Sequence, residues 1–77
     1  MSSRTFTFSV DIPYQNFLDY YKGIASTVVV TADSGESMEL DASHFRDFVS
    51  PHGVRGRFRL VLGDGNRFES LEMIDEF

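Results

Sequence analysis

The sequence predicts an α+β domain on an antiparallel sheet, in the order β-α-β-β-α-β-β. Three observations carry this reading: a strictly alternating N-terminal segment, one helical apolar stripe just after Pro13, and two pairs of strand-like runs separated by turn residues. With 77 residues the chain has room for one core, so it forms a single domain over 1–77 with an ordered core at about 4–74.

Phe6, Phe8, Val10 and Ile12 alternate with Thr5, Thr7, Ser9 and Asp11, which reads as a half-buried strand. Pro13 suits a first helical turn, and Tyr14, Phe17, Leu18 and Tyr21 then recur at i, i+3, i+4 and i+7, with Gly23 as terminator. Within 25–32, Val28, Val29 and Val30 predict a buried strand. Asp33-Ser34-Gly35-Glu36 is turn chemistry, and Met38 and Leu40 alternate along the return strand. Asp41 or Ser43 then caps a short second helix, partly 3₁₀ in character, which turns Phe45, Phe48 and Val49 inward and stops at Pro51 and Gly53.

The last third is a second hairpin around Gly63-Asp64-Gly65-Asn66. Arg57, Arg59 and Val61 alternate with Phe58, Leu60 and Leu62, but the return strand has a phase defect, because Phe68 and Leu71 are three apart. A three-residue loop places Phe68 opposite Leu62. A bulge at Glu69-Ser70 then sets Leu71 opposite Leu60, Met73 opposite Phe58 and Glu72 opposite Arg59. The element string contains that of a ferredoxin-like fold. The short second helix covers a sheet poorly, however, so a strongly curved sheet or small open barrel fits equally well. In each case the first, main helix is expected across the face formed by Phe6, Phe8, Val10, Phe58 and Leu60.

Composition bounds the function. Hydrophobic residues make up 42% and charged residues 25%, with eight Phe, three Tyr and no Trp, an ordinary globular balance with a large aromatic share. The absence of Cys excludes disulfides and thiolate metal sites. No apolar run approaches a membrane span, and Met1-Ser2-Ser3-Arg4 leads into no signal-peptide core, so a cytoplasmic protein is expected. The net charge of −5 argues against non-specific binding to DNA or RNA.

The charge is unevenly placed. Five of the seven cationic residues, Arg46, Arg55, Arg57, Arg59 and Arg67, fall between positions 44 and 68, opposed there only by Asp47 and Asp64. Arg57 and Arg59 project from one strand face with Arg55 nearby, and guanidinium forks grip carboxylates and phosphates alike. Two readings stay open: a binding surface, or internal pairing with acidic residues of neighbouring strands, Glu72 and Glu69 first. Tyr20, beside Tyr21, lies at the edge of the helical stripe, where it caps the core or joins an interface.

Other constellations fall short. Arg55-Gly56-Arg57-Phe58-Arg59 starts like an RNA-binding signature but places arginines where stacking aromatics are required. His44 and His52 do not converge with Asp41 and Asp47 on a metal, and read as exposed or capping residues. Ser43 beside His44 is adjacency without an orienting group, and Gly63-x-Gly65 lacks a third glycine. No catalytic, cofactor or metal residue is expected.

Tyr20-Tyr21-Lys22-Gly23, Phe48-Val49, Gly53-Val54-Arg55-Gly56-Arg57-Phe58 and Asn66-Arg67-Phe68 together resemble a family of short stand-alone bacterial proteins of unknown function. The likeness runs from about Phe6 to Met73 and departs at Asp41-Ala42, where Pro-Ala is the family's pattern. It implies a single small domain and no activity. The functional expectation is a small non-enzymatic interaction or accessory protein that binds a protein partner, or a second copy as a homodimer, through the arginine face. The alternative is a nucleic-acid-binding module using the same face.

Overall fold

The computed structural model describes residues 3–22 and 26–76, with the side chains of Tyr20 and Tyr21 outside the description. Strands β1 (Arg4–Ile12), β4 (Val54–Leu62) and β5 (Phe68–Glu76) form an antiparallel sheet in the order β1-β4-β5. Strands β2 (Thr27–Thr31) and β3 (Ser37–Asp41) form a separate antiparallel hairpin. Helix α1 spans Tyr14–Tyr21, and a 3₁₀ helix, η1, spans Ala42–Phe48. The Gly23 terminator lies outside the described residues.

The architecture is therefore two sheets, neither one continuous curved sheet nor a closed barrel. β1 is bonded to β4 along its whole length. On its other side, among the described residues, its backbone bonds to the hairpin are at the turn, through a Phe8–Ala32 bridge and the Asp33 N–H donating to the Thr7 carbonyl at 2.8 Å. Both sheets turn one apolar face inward, as their period-two patterns require.

Register follows from those patterns. Phe6, Phe8 and Val10 of β1 stand opposite Leu60, Phe58 and Gly56 of β4. In the second hairpin, Phe68 is opposite Leu62, Leu71 opposite Leu60, Met73 opposite Phe58 and Glu72 opposite Arg59, so the expected bulge is present. β4 starts at Val54, three residues earlier than its Arg57 start in the sequence reading. A second irregularity slips Asp75 opposite Arg57 and leaves Ile74 exposed, which periodicity alone did not indicate.

The core is aromatic. Phe8, Phe45, Phe58 and Leu60 are fully buried, and the rings of Phe45 and Phe48 meet Phe58 edge-on at 5.5 and 5.2 Å. Both helices contribute to it. The shorter helix, η1, lays the rings of Phe45 and Phe48 on Phe58, and among the described side chains of α1 Phe17 is buried and Leu18 half-buried. A side-chain cap fixes the start of η1: the Asp41 carboxylate accepts from the Ser43 N–H at 2.9 Å. The valine run is corrected as well. Val28 and Val30 are buried but Val29 is 66% exposed, because the pleat sends every second residue to the other face regardless of its hydrophobicity.

Candidate functional site: an arginine ladder on the sheet face

The alternation that buries Val54, Gly56, Phe58 and Leu60 sends Arg55, Arg57 and Arg59 to the outer face of the central strand. Register then decides their neighbours. Arg55 lies opposite Asp11 on β1, and its Nε stands 3.0 Å from Asp11 Oδ1. Arg57 lies opposite Ser9 and donates to Ser9 Oγ at 3.0 Å. Its fork also engages both carboxylate oxygens of Asp33 from the β2–β3 turn, with Asp33 Oδ1 at 3.2 Å. Arg59 donates through Nε, at 2.8 Å, and through Nη2 to the same Glu72 oxygen. All three guanidinium groups are internally paired, and all three pairs remain partly exposed. Glu72 is a partner, as the internal-pairing reading held; the other two partners are Asp11 and Asp33.

Asp33 joins the two sheets electrostatically. The Arg57 hydrogen bond, then the bond from Thr7 Oγ1 at 2.8 Å, holds its carboxyl below the usual 3.8, and Arg57 is correspondingly raised by Asp33. Asp41 is also lowered, by the Ser43 backbone bond at the η1 cap. A carboxyl depressed in the folded state stabilises fully above its unfolded value and loses that contribution as pH falls through the folded value. Thermal stability is therefore expected to fall as pH drops below about 3.8, and to fall less steeply in an Asp33→Asn/Asp41→Asn double variant. Melting curves between pH 2 and 6 check this, and parallel curves for the two proteins would contradict it.

A cleft of about 370 Å³ lies between β3, η1 and the β4–β5 turn. His44 stacks flat on Phe68 at its wall, with centroids 3.8 Å apart and planes 4° from parallel. Arg4 donates to Asn66 Oδ1 and lies over the Phe6 ring at 5.1 Å. His44 is therefore a half-buried stacking residue, which corrects the exposed or capping reading. No local signal pointed to it, since Phe68 is distant in sequence and reaches His44 only through the fold.

The family model described as protein of unknown function (DUF2835) matches residues 4–74. The chain belongs to DUF2835. No curated protein and no solved structure matches it. The family description carries no activity, so a function for this DUF2835 protein has to be argued from its own geometry.

The structure brings together three of the five clustered arginines. Arg46 sits on η1 beside a shallow hollow lined by Tyr14, Val49, Ser50 and Pro51, and Arg67 occupies the exposed position just before β5. Neither stands on the β4 ladder; their proximity to it is one of sequence. The side chain of Tyr20 lies outside the described residues. Among the described residues no His, Cys, Asp or Glu cluster is placed to hold a metal ion, and no helix is long and apolar enough to cross a membrane.

Proposed function

We propose that this DUF2835 protein is a cytoplasmic, non-enzymatic interaction module that binds a protein partner through the Arg55-Arg57-Arg59 face of β4. The observation that supports it is the alignment of three partly exposed Arg–carboxylate pairs on the middle strand of an open three-stranded sheet. Exposed ion pairs contribute little to fold stability. The ladder can therefore exchange an internal carboxylate for one on a partner at small cost to the domain, and its planar forks set the partner's orientation. Edge strand β5, which carries Glu72, lies beside the ladder and adds acidic groups that complement a partner of mixed charge. Nucleic acid is less well served, because a net charge of −5 repels a phosphate backbone at long range.

The test is an Arg57→Ala/Arg59→Ala variant, checked for native circular dichroism. Proteins co-purifying from native cells with the tagged wild type are compared with those retained by the variant, and each lost protein is re-bound in purified form. We expect a purified partner, or self-association seen by light scattering, to bind the wild type and not the variant. Identical partners and identical oligomeric state in both proteins would reject the reading.

A further inference from the structure

The hairpin's hydrogen bonds show which backbone groups of β3 are left over. The Ala32 N–H donates to the Glu36 carbonyl and the Ala42 N–H to the Ser26 carbonyl. With Val28 opposite Leu40 and Val30 opposite Met38, these positions are the bonded pairs of the antiparallel ladder. The intervening residues, Ser37 and Glu39, direct their N–H and C=O groups away from β2, and among the described residues these groups meet no partner. The open edge they form is one wall of the 370 Å³ cleft, which the chain from Glu36 to Asp41 lines without a break.

We infer that the open edge of β3 is a strand-addition site for an extended peptide of a partner protein, with apolar side chains on alternate positions facing the cleft and basic ones between them facing solvent. A strand laid against Ser37 and Glu39 satisfies the free backbone groups. Its inward side chains fall beside Met38 and Leu40, over a floor of Phe6 and Leu62 and against the exposed Phe68 ring. Its outward side chains fall beside Ser37, Glu39 and Asp41, all exposed, where cross-strand pairing rewards a positive charge.

A second copy of the chain is the poorer occupant. β3 paired antiparallel with itself about Glu39 brings Glu39 against its own counterpart, and β5, another edge strand, carries Glu69, Glu72, Asp75 and Glu76. Acidic edges repel each other and leave the site to a basic strand. This site is separate from the arginine ladder and takes the opposite charge.

The probe is an end-blocked synthetic peptide of alternating Lys with Val and Phe, compared with a peptide of the same composition in which the lysines are grouped. Both are titrated into the ¹⁵N-labelled full chain. The expected result is slowed amide exchange at Ser37 and Glu39 with the alternating peptide only. Glu39→Pro removes one edge donor that β2 does not use, and is expected to weaken binding about tenfold, the worth of one lost hydrogen bond. Glu39→Lys keeps the backbone intact and is expected to weaken binding as well, while Arg57→Ala/Arg59→Ala leaves it unchanged. Protection on β5 instead of β3, equal binding of the two peptides, or wild-type binding by both Glu39 variants would overturn the inference. So would a dimer of the free protein that Glu39→Pro dissociates.

Discussion

Phe58→Ala is expected to destabilise the domain by about 3–5 kcal/mol, the range for removing a buried aromatic ring from a packed core. Phe58 is completely buried, stacks on Phe8 at 6.0 Å and receives the edges of Phe45 and Phe48. The substitution thus opens a cavity where both sheet and helix lose contact, and neither can collapse into it without breaking the β1–β4 register. Because whole domains are stable by only about 5–15 kcal/mol, a large part of the molecules should be close to unfolding under mild conditions. Urea denaturation followed by circular dichroism measures the loss. Val29→Ala is the control: it removes an exposed side chain and should stay within about 0.5 kcal/mol. Equal effects at the two positions would show that the core is not centred on Phe58.

Gly53→Ala is the second large effect. Gly53 closes the Ser50–Gly53 turn with two backbone bonds, of 2.9 and 2.8 Å, at a φ of +105°. An added Cβ would stand 2.0 Å from the Ile12 carbonyl oxygen and 2.7 Å from the Tyr14 nitrogen. These are backbone atoms at the junction of β1 and α1, so no rotamer change relieves the contact. Backbone strain of about 1–3 kcal/mol adds to the cost of forcing the two segments apart, again about 1–3 kcal/mol. Gly35→Ala separates the two contributions, since Gly35 has a φ of +98° and nothing within 4 Å of the added carbon. Gly53→Ala should lower the urea midpoint well beyond Gly35→Ala. Matching midpoints would mean that conformation alone, and not the close approach, requires glycine at position 53.

The ladder and the cleft differ in how far they could be read in advance. Arg55, Arg57 and Arg59 share a face because residues two apart in a strand always do. Glu72 became the Arg59 partner because turn length and bulge together set the hairpin register, and both are local. Asp33 was out of reach of that reasoning. It meets Arg57 only because the β2–β3 turn is bonded to the outer edge of β1, beside Thr7. His44 on Phe68 and Arg4 on Asn66 are likewise contacts between elements that share no local pattern.

What the residues determined unaided was therefore much of what has a short period: the existence of the strands, a cap at Asp41 or Ser43, the second hairpin's register from Phe68 to Met73 and the outward row of arginines. Only the tertiary structure decided that five strands divide into two sheets, that η1 lays two rings on Phe58, and that β3 is left with an open edge over a cleft. The physical reason is one of range. Pleat, turn and cap act over a few residues and leave a periodic trace. Which distant surfaces meet is chosen by the total burial gained against the entropy of closing the loops between them, a balance no single segment carries.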